Sequence, residues 1–182
     1  MDVMSSVVEV IREVFEKRGQ KEYGGESVNQ LEHALQCAAL AEESKASRSL
    51  VLAALLHDIG HIFDDECLAG DSAGNLDDKH EHRGNGWLRE HFGSAVADPV
   101  RLHVVAKRYL CSVDSDYQKQ LSPTSLQSYR DQGGLMSDDE RLAFEKEPYA
   151  KEALDLRRWD DAAKVPGRTT PPLEHYLGLM EE

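Results

Sequence analysis

The stretch from Leu52 to His61, LAALLHDIGH, constrains the fold of this chain more than any other part of the sequence. Residues 49–56 carry almost no polar side chain for two helical turns, so a helix there is apolar on nearly every face and must be buried. His57 and Asp58 follow directly, at the end of that helix. Burying an unpaired carboxylate costs several kcal/mol unless a cation or hydrogen-bond donors compensate it, and a bound metal ion is one such cation.

The chemistry of an adjacent histidine and aspartate suits a metal centre. A neutral imidazole binds iron, zinc or nickel, and a carboxylate has two oxygens that can bridge two cations. Gly60 would let the backbone leave the central helix, which places His61 at the mouth of the pocket. The simpler alternative is that His57 and Asp58 bond only to each other and to a helix end.

Further potential ligands make a metal centre the more specific interpretation. They lie in predicted helices on both sides of the central pair and are His33, His80, His103 and Asp160. His80 and His82 are about 200° apart on a helix, so only one of them faces the centre easily, and we choose His80. Taken alone, a histidine beside an apolar stripe, such as His33, is more often a satisfied core residue than a ligand.

Charge and length exclude several classes of partner. The 182 residues suit one domain with one hydrophobic core. They include 21 Lys and Arg against 34 Asp and Glu, and the net charge of -13 argues against nucleic acid or an anionic membrane as a partner. An anionic small molecule would therefore need a local basic pocket.

Cysteine usage and the lack of targeting signals predict a cytoplasmic protein. The three cysteines, Cys37, Cys67 and Cys111, are odd in number and show no CxxC spacing, so we expect reduced thiols rather than disulfides or a thiolate zinc site. The N-terminal segment does not have the pattern of a secretory signal, and no apolar run approaches the roughly 20 residues that span a bilayer.

Hydrophobic periodicity predicts an all-α fold. The predicted helices lie at 3–17, after a cap at Ser27 or Asn29, at 49–56, from His80, from Pro99, near 122–130 within a loop from 114 to 134, at 138–147, at 149–160 and at 175–180. The helix after the Ser27 or Asn29 cap carries His33, and the helix that Pro99 is expected to start carries His103.

Two predicted loops carry polar residues that could face a ligand. Gly24 and Gly25 mark a loop that holds Tyr23 and Glu26, which taken alone would be surface residues. The stretch from Phe63 to Lys79 is rich in aspartate and glycine. It is either a solvated acidic loop or a lid whose carboxylates favour a cationic group on a substrate.

Helical spacing places a cation beside two of the potential ligands. Lys107 follows His103 by four residues, and Arg157 precedes Asp160 by three, so each pair shares a helix face. These two cations predict an anion pocket next to the metal centre. The alternatives are a solvated surface lysine and a plain salt-bridged helix end.

Several segments beyond the HD dipeptide resemble a known family. The most specific are YGGESVNQLEHALQCA, LLHDIGH, HVVAKRYL, YRDQGG and LRRWDD, which begin at Tyr23, Leu55, His103, Tyr129 and Leu156. On these segments the chain resembles the HD-domain superfamily, in its diiron oxygenase branch, the PhnZ type that cleaves phosphonates. The resemblance covers about 23–176 and implies a single HD-domain helical bundle over residues 1–182, with a dinuclear metal site at its centre.

The resemblance also implies a ligand set of four histidines and two aspartates, in which Asp58 bridges two irons. The first iron would bind the side chains of His33, His57, Asp58 and Asp160, and the second those of Asp58, His80 and His103. The irons would form a mixed-valent Fe(II)/Fe(III) pair, with dioxygen as co-substrate.

Residues around the substrate are implied in the same way. The phosphonate would be bound by basic and polar side chains, namely His61, Lys107, Arg157 and Ser125. Tyr23 and Glu26 match a mobile loop, in which the tyrosine occupies an iron position before substrate arrives and the glutamate faces the amino end of the substrate. With Asp58, these two loop residues make up the expected catalytic group.

The implied reaction is oxidative cleavage of the carbon–phosphorus bond of a 1-hydroxyalkylphosphonate, such as 2-amino-1-hydroxyethylphosphonate, to phosphate and a carboxylic acid, such as glycine. A separate α-hydroxylating oxygenase would supply this organophosphonate. The substituent at C2 stays open among amino, trimethylammonium and none. Two alternatives are a metal-dependent HD phosphohydrolase acting on a phosphomonoester or nucleotide, and a non-catalytic HD module that binds a small anion as a sensor.

Overall fold

The structure confirms the all-α prediction. The computed structural model describes residues 3–63 and 76–181, apart from the side chains of residues 3, 5 and 76–83. Within these ranges the chain forms helices and one isolated β-bridge, between Glu22 and Asn29. The helices are α1 (Val3–Arg18), α2 (Gln30–Glu43), α3 (Arg48–Leu56), α4 (Ile59–Ile62), α5 (Leu76–Phe92), α6 (Ser94–Val113), α7 (Ser115–Gln120), α8 (Pro123–Asp131), α9 (Asp138–Glu145), α10 (Ala150–Ala162) and α11 (Leu173–Met180). None of the described helices combines the length and the apolar character needed to cross a bilayer.

The central helix is α3, as the apolar run at 49–56 predicts. Every residue from Leu50 to Leu56 is buried, and α3 packs against α2, α6, α10 and α11. Ser47 caps its first turn by accepting a hydrogen bond from the Leu50 N–H at 3.3 Å. Because α3 ends at Leu56, the following His57 and Asp58 leave the helix inside the core rather than at the surface.

Asn29 sets the start of α2 and therefore the position of His33. Its side chain accepts from the Glu32 N–H at 2.8 Å, and the Glu32 carboxylate accepts from the Asn29 N–H at 3.0 Å. This reciprocal pair satisfies two amide groups at the helix start, so Asn29 rather than Ser27 is the cap. The buried face of α2 includes His33.

The helix expected to open at His80 begins four residues earlier, at Leu76. Asp77 and Asp78 therefore belong to its first turn, and not to the acidic loop predicted to reach Lys79. The rest of that predicted loop or lid, residues 64–75, lies outside the described residues.

Pro99 does not start a helix, because α6 begins at Ser94 and continues through it. Gly93 precedes the helix with a φ of +74°, a conformation that glycine adopts without strain. Pro99 cannot donate to the Ala95 carbonyl, which removes one helical hydrogen bond. The proline is itself buried, as are several residues of α6 around it, and we attribute the continuity of the helix to this packing.

The short helix α7 was not predicted and lies within the expected loop from 114 to 134. Asp114 caps it by accepting from the N–H groups of Asp116 at 2.9 Å and Tyr117 at 3.3 Å. Six residues are too few to show a clear apolar period, and Tyr117 is the residue of α7 that is buried.

Gly60 has a different role from the one predicted. The backbone turns at Asp58, with φ -105° and ψ 11°, and α4 then continues through Gly60. Gly60 instead lies against α5, where a Cβ atom added to Gly84 would be 2.9 Å from the Gly60 Cα. The two glycines therefore allow the backbones of α4 and α5 to touch.

We expect Gly84→Ala to destabilise the protein by about 1–3 kcal/mol, because the added methyl group must separate two backbones. Gly86→Ala on the same helix is the matched control, since no atom lies within 4 Å of its Cβ position and alanine stabilises helices over glycine by about 1 kcal/mol. Urea unfolding followed by circular dichroism measures both. Equal free energies of unfolding for Gly84→Ala and Gly86→Ala would contradict the close packing of α4 on α5.

Candidate metal centre

Three buried histidines direct Nε2 toward one centre and Nδ1 toward a backbone carbonyl. The Nδ1 atoms of His33, His57 and His103 lie 2.8, 2.8 and 2.6 Å from the carbonyl oxygens of Ala163, Ala54 and Val100. A carbonyl oxygen only accepts, so each Nδ1 carries the hydrogen. In the neutral ring, Nε2 then holds the lone pair that a metal ion needs.

The Nε2 atoms of His33 and His57 face each other across 3.2 Å. Two lone pairs at this distance repel each other unless one ring takes a proton or a cation lies against both. Both rings are buried, so water does not screen the repulsion. This pair of nitrogens therefore fits a metal ion.

Asp58 lies between His103 and the pair formed by His33 and His57. Its Oδ2 atom is 3.2 Å from His57 Nε2 and 3.8 Å from His33 Nε2. Its other oxygen, Oδ1, is 3.9 Å from His103 Nε2. One oxygen faces the His33–His57 pair and the other faces His103, which is the arrangement that a bridging carboxylate needs. The bridging role itself stays a prediction.

Asp160 adds a second carboxylate on the His33 side. Its Oδ1 is buried and accepts no hydrogen bond, although His33 Nε2 lies 3.3 Å away. Its Oδ2 lies 2.7 Å from Arg157 Nη1, as their shared helix face predicts. Because a buried carboxylate oxygen without a donor is costly, Oδ1 fits a metal ligand, and this set of imidazole and carboxylate donors suits iron.

Burial and neighbouring charges shift the pKa values of His57, His103 and Asp58. Burial lowers the pKa of His57, but the adjacent Asp58 carboxylate raises it to about 9. Burial and the charge of His57 lower the pKa of His103 to about 4. Although burial raises the pKa of Asp58, His57 holds it well below its usual range. The cluster thus favours one positive charge beside its carboxylates, and a metal ion can replace that proton.

Cys37 lies beside the centre, one turn after His33. Its Sγ atom is 3.8 Å from His33 Nε2, and with two of the histidines it forms a group whose ligating atoms lie within 4.8 Å of one another. Burial raises the pKa of the thiol, and the nearby carboxylates raise it further, so the sulfur stays protonated and we assign it no ligand role. Cys37 and Cys111 are free, as predicted, while Cys67 lies outside the described residues.

Tyr23 covers the centre from the loop before α2. Its ring stacks on His33 with 3.8 Å between the centroids, and its hydroxyl donates to Asp58 Oδ2 at 2.8 Å. Gly24 and Gly25, with φ of +49° and +78°, form the turn that follows. Burial raises the pKa of Tyr23 well above its usual value, so the hydroxyl is a donor. It bonds the same carboxylate oxygen that faces His33 and His57.

Two lysines, Lys107 and Lys164, contact the helix α8. Lys107 is buried and donates to Ser128 Oγ at 2.6 Å, while Lys164 donates to Ser125 Oγ at 2.9 Å and to Glu26 Oε1 at 3.2 Å. Among the described residues, no carboxylate oxygen lies within 4.0 Å of the Lys107 ammonium. Burial lowers the pKa of Lys107 to about 8, and a nearby guanidinium contributes. A buried cation without a carboxylate partner fits an anionic ligand.

Two further predicted site residues, His61 and His80, come from α4 and α5. His61 is exposed on α4 and lines a cavity together with His57 and His103, which agrees with its predicted place at the pocket mouth. The side chain of His80 lies outside the described residues. Its position on α5 is one helical turn before Gly84, which lines the same cavity.

Comparison with known proteins identifies the family of the chain. Residues 31–163 match the HD domain family. The chain belongs to the HD-domain family. Hydroxymethylphosphonate dioxygenase of Gimesia maris is 50% identical over 169 residues, which cover 93% of this chain and 84% of the relative.

Two further relatives of this HD-domain protein span nearly its whole length. The [1-hydroxy-2-(trimethylamino)ethyl]phosphonate dioxygenase (glycine-betaine-forming) of Leisingera caerulea is 39% identical over 177 residues, 97% of this chain and 89% of the relative. Uncharacterized protein L432 of Acanthamoeba polyphaga mimivirus is 36% identical over 185 residues, 100% of this chain and 84% of the relative. The resemblance to PhnZ-type HD oxygenases is confirmed.

Lys164, which donates to Ser125 of α8, is not among the site residues predicted from the sequence of this HD-domain protein. It follows the potential ligand Asp160 by four residues, the same spacing that singled out Lys107 after His103, so a signal was available. Its ammonium also lies 5.9 Å from the centroid of the Tyr23 ring. Lys164 therefore contacts both α8 and the loop that carries Tyr23 and Glu26.

We expect Asp58→Ala to lose metal binding, because it removes the carboxylate that faces His57 and His33 with one oxygen and His103 with the other. Asp155→Ala is the matched control, since this half-buried carboxylate of α10 pairs only with the surface cations Lys151 and Arg158. Metal content after anaerobic loading with Fe(II) and desalting measures both variants. An Asp58→Ala protein with as much metal as the control would rule out the bridging role.

Proposed function

We propose that this HD-domain protein is a diiron dioxygenase that cleaves the carbon–phosphorus bond of a 1-hydroxyalkylphosphonate. The observation that carries the proposal is the buried Lys107 ammonium, which has no carboxylate partner in the described chain and lies four residues after the metal-facing His103. An anion that contacts both a metal centre and this cation meets that geometry. The names of two relatives, both phosphonate dioxygenases, support the same substrate class.

Two irons would occupy the centre. The ligands that we assign to the first are His33, His57, Asp58 and Asp160, and those that we assign to the second are Asp58, His80 and His103. A mixed-valent pair bound there would supply the activation of dioxygen. The part of the protein is to bind and orient the substrate, to compensate its charge and to exclude water.

The reaction balances without a further reductant. The carbon that bears the hydroxyl group loses its hydrogen and its bond to phosphorus, and the two atoms of dioxygen correspond to one new C–O bond and one new P–O bond. Hydroxymethylphosphonate would give formate and phosphate, and 2-amino-1-hydroxyethylphosphonate would give glycine and phosphate. Because the substrate must already carry a hydroxyl group, we propose that a separate α-hydroxylating oxygenase supplies it.

The phosphonate would bind where the two lysines meet α8. Lys107 and Lys164 donate to Ser128 and Ser125, which are three residues apart on one face of that helix. Phosphonate oxygens are stronger acceptors than serine hydroxyls, so they would replace these bonds. His61 and Arg157 remain further phosphonate contacts in the proposal.

The loop that carries Tyr23 and Glu26 would respond to the substrate. Tyr23 bonds Asp58, and the Glu26 carboxylate accepts from Ser122 and from Lys164. We infer that the substrate takes the place of the Tyr23 hydroxyl and that its phosphonate competes with Glu26 for Lys164. A carboxylate released in this way would attract an ammonium group at C2, whereas an unsubstituted substrate would not use it.

The whole chain, residues 1–182, is proposed to form a single HD domain, because α1 and α11 pack into the same hydrophobic core as α3. The expected reduced thiols suit the cytoplasm. The net charge of -13 gives no reason to add nucleic acid or a membrane as a partner.

Protein loaded with iron under anaerobic conditions should release phosphate from a 1-hydroxyalkylphosphonate only after dioxygen is added. Oxygen uptake, phosphate, and formate or glycine should appear in equal amounts, and a panel of hydroxymethyl, amino and trimethylammonium substrates ranks the C2 substituents. A phosphohydrolase would use the same ligands to activate water, so it needs no dioxygen. Anaerobic cleavage of phosphomonoesters, with no turnover of the phosphonates, would favour that alternative.

Lys107→Met should retain iron and raise KM by about 10- to 100-fold, because it removes one charge-assisted bond to the phosphonate. In the unsubstituted protein, Lys107 is charged below its pKa of about 8 and neutral above it. Its contribution to kcat/KM is therefore complete below about pH 8 and falls tenfold per unit above it. A pH profile of kcat/KM with each substrate measures the effect.

Lys107→Arg is the control for this pH profile, since a guanidinium keeps its charge over the whole range. It should remove the decline above pH 8 even if its maximum is lower. A decline that persists unchanged in Lys107→Arg would assign the titration to another group.

A further inference from the structure

Arg157 is part of a network of hydrogen bonds and ion pairs that ends at Asp160. Its Nη1 lies 2.7 Å from Asp160 Oδ2, its Nε lies 3.2 Å from Asp161 Oδ2, and its Nη2 also bonds to Asp161. Its Nε lies 3.3 Å from the Tyr117 hydroxyl oxygen, and that hydroxyl donates to Asp161. Arg157, Asp160 and Tyr117 are all buried, so these bonds are made in a region of weak screening.

The geometry of the guanidinium decides which oxygen of Asp160 remains free. Asp161 takes the fork formed by Nε and Nη2, because it accepts from both nitrogens with its two oxygens. Arg157 binds Asp160 Oδ2 through Nη1, and Asp160 Oδ1 is left without a hydrogen bond, 3.3 Å from His33 Nε2. Without Asp161, the guanidinium could turn its fork to Asp160 and bind both of its oxygens.

Tyr117 keeps Asp161 in that position. The helix α7 presents its ring to the buried residues Leu110, Cys111 and Tyr129. Its hydroxyl donates to Asp161 and accepts from Arg157. Burial raises the pKa of Tyr117, and the charge of Asp161 raises it further against the effect of Arg157, so the hydroxyl stays a donor.

We propose that Tyr117 and Asp161 are positioning residues for the metal centre, because they hold the Arg157 guanidinium so that it binds one oxygen of Asp160 and leaves the other for the metal ion. Neither residue contacts the centre itself, and both act through Arg157. The inference rests on the proposed metal role of Asp160 and is independent of which phosphonate is the substrate.

The test is the affinity for Fe(II) under anaerobic conditions, measured together with the melting temperature of the metal-free protein. Asp161→Asn should weaken iron binding by about 10- to 100-fold and Tyr117→Phe by about 10-fold, the range found for partners that orient metal ligands. The metal-free melting temperature should stay within about 4 °C of the original protein. Asp155→Asn on the same helix and Tyr109→Phe, whose hydroxyl bonds Glu145 at the surface, are the matched controls and should bind iron normally.

A double variant separates positioning from a general structural role. If Asp161 keeps Arg157 away from Asp160 Oδ1, then adding Arg157→Met to Asp161→Asn removes the competitor and should restore at least tenfold of the lost affinity, a non-additive result. Unchanged affinity in Tyr117→Phe and Asp161→Asn would overturn the inference. So would a parallel loss of affinity and melting temperature that Arg157→Met does not restore. If the original protein binds no iron, the metal centre itself is wrong, which is a separate outcome.

Discussion

The hydrogen bond from each histidine Nδ1 to a backbone carbonyl is the interaction on which the rest of the site depends. It places the hydrogen on the outer nitrogen, so that in the neutral ring the inner nitrogen holds the lone pair that a cation needs. At α3 the bond has a second effect, because Ala54 lies in the last turn, where carbonyls lack a helical partner. The same hydrogen bond thus orients the His57 ring and satisfies a carbonyl at the end of the central helix.

The cations of this acidic protein that are proposed to bind an anion are buried or largely buried. Surface carboxylates, which dominate the net charge of -13, are screened by salt over about 10 Å. Lys107, Arg157 and Lys164 lie inside, where the nearest partners decide the local charge, and Lys107 is the one without a carboxylate beside it among the described residues. Arg157 and Lys164 are paired with carboxylates, so the charge of Lys107 is the one among the three that no described carboxylate compensates.

The features that could be predicted from the sequence are those with a local signal. The buried α3, the face shared by Arg157 and Asp160, and a cap at Ser27 or Asn29 each follow from residues a few positions apart, and the structure selects Asn29. The Tyr117–Asp161 and Lys164–Glu26 contacts span 44 and 138 residues, and no local pattern in this sequence identifies them. Gly60 was misread for a related reason, because a glycine that ends a helix and one that admits a neighbouring backbone look alike in one dimension.

The carbonyl that orients His33 is distant in the sequence, unlike those that orient the other two histidines. His57 and His103 take their carbonyl partners from three residues back in their own chain segment, whereas His33 reaches Ala163, 130 residues away. Asp160 comes from the same distant segment. During synthesis on the ribosome, the His-Asp pair is therefore made long before the residues that complete its site. A partly made chain offers only a few donors, one of them unoriented, so tight metal capture must wait until α10 has docked and the tertiary structure is in place.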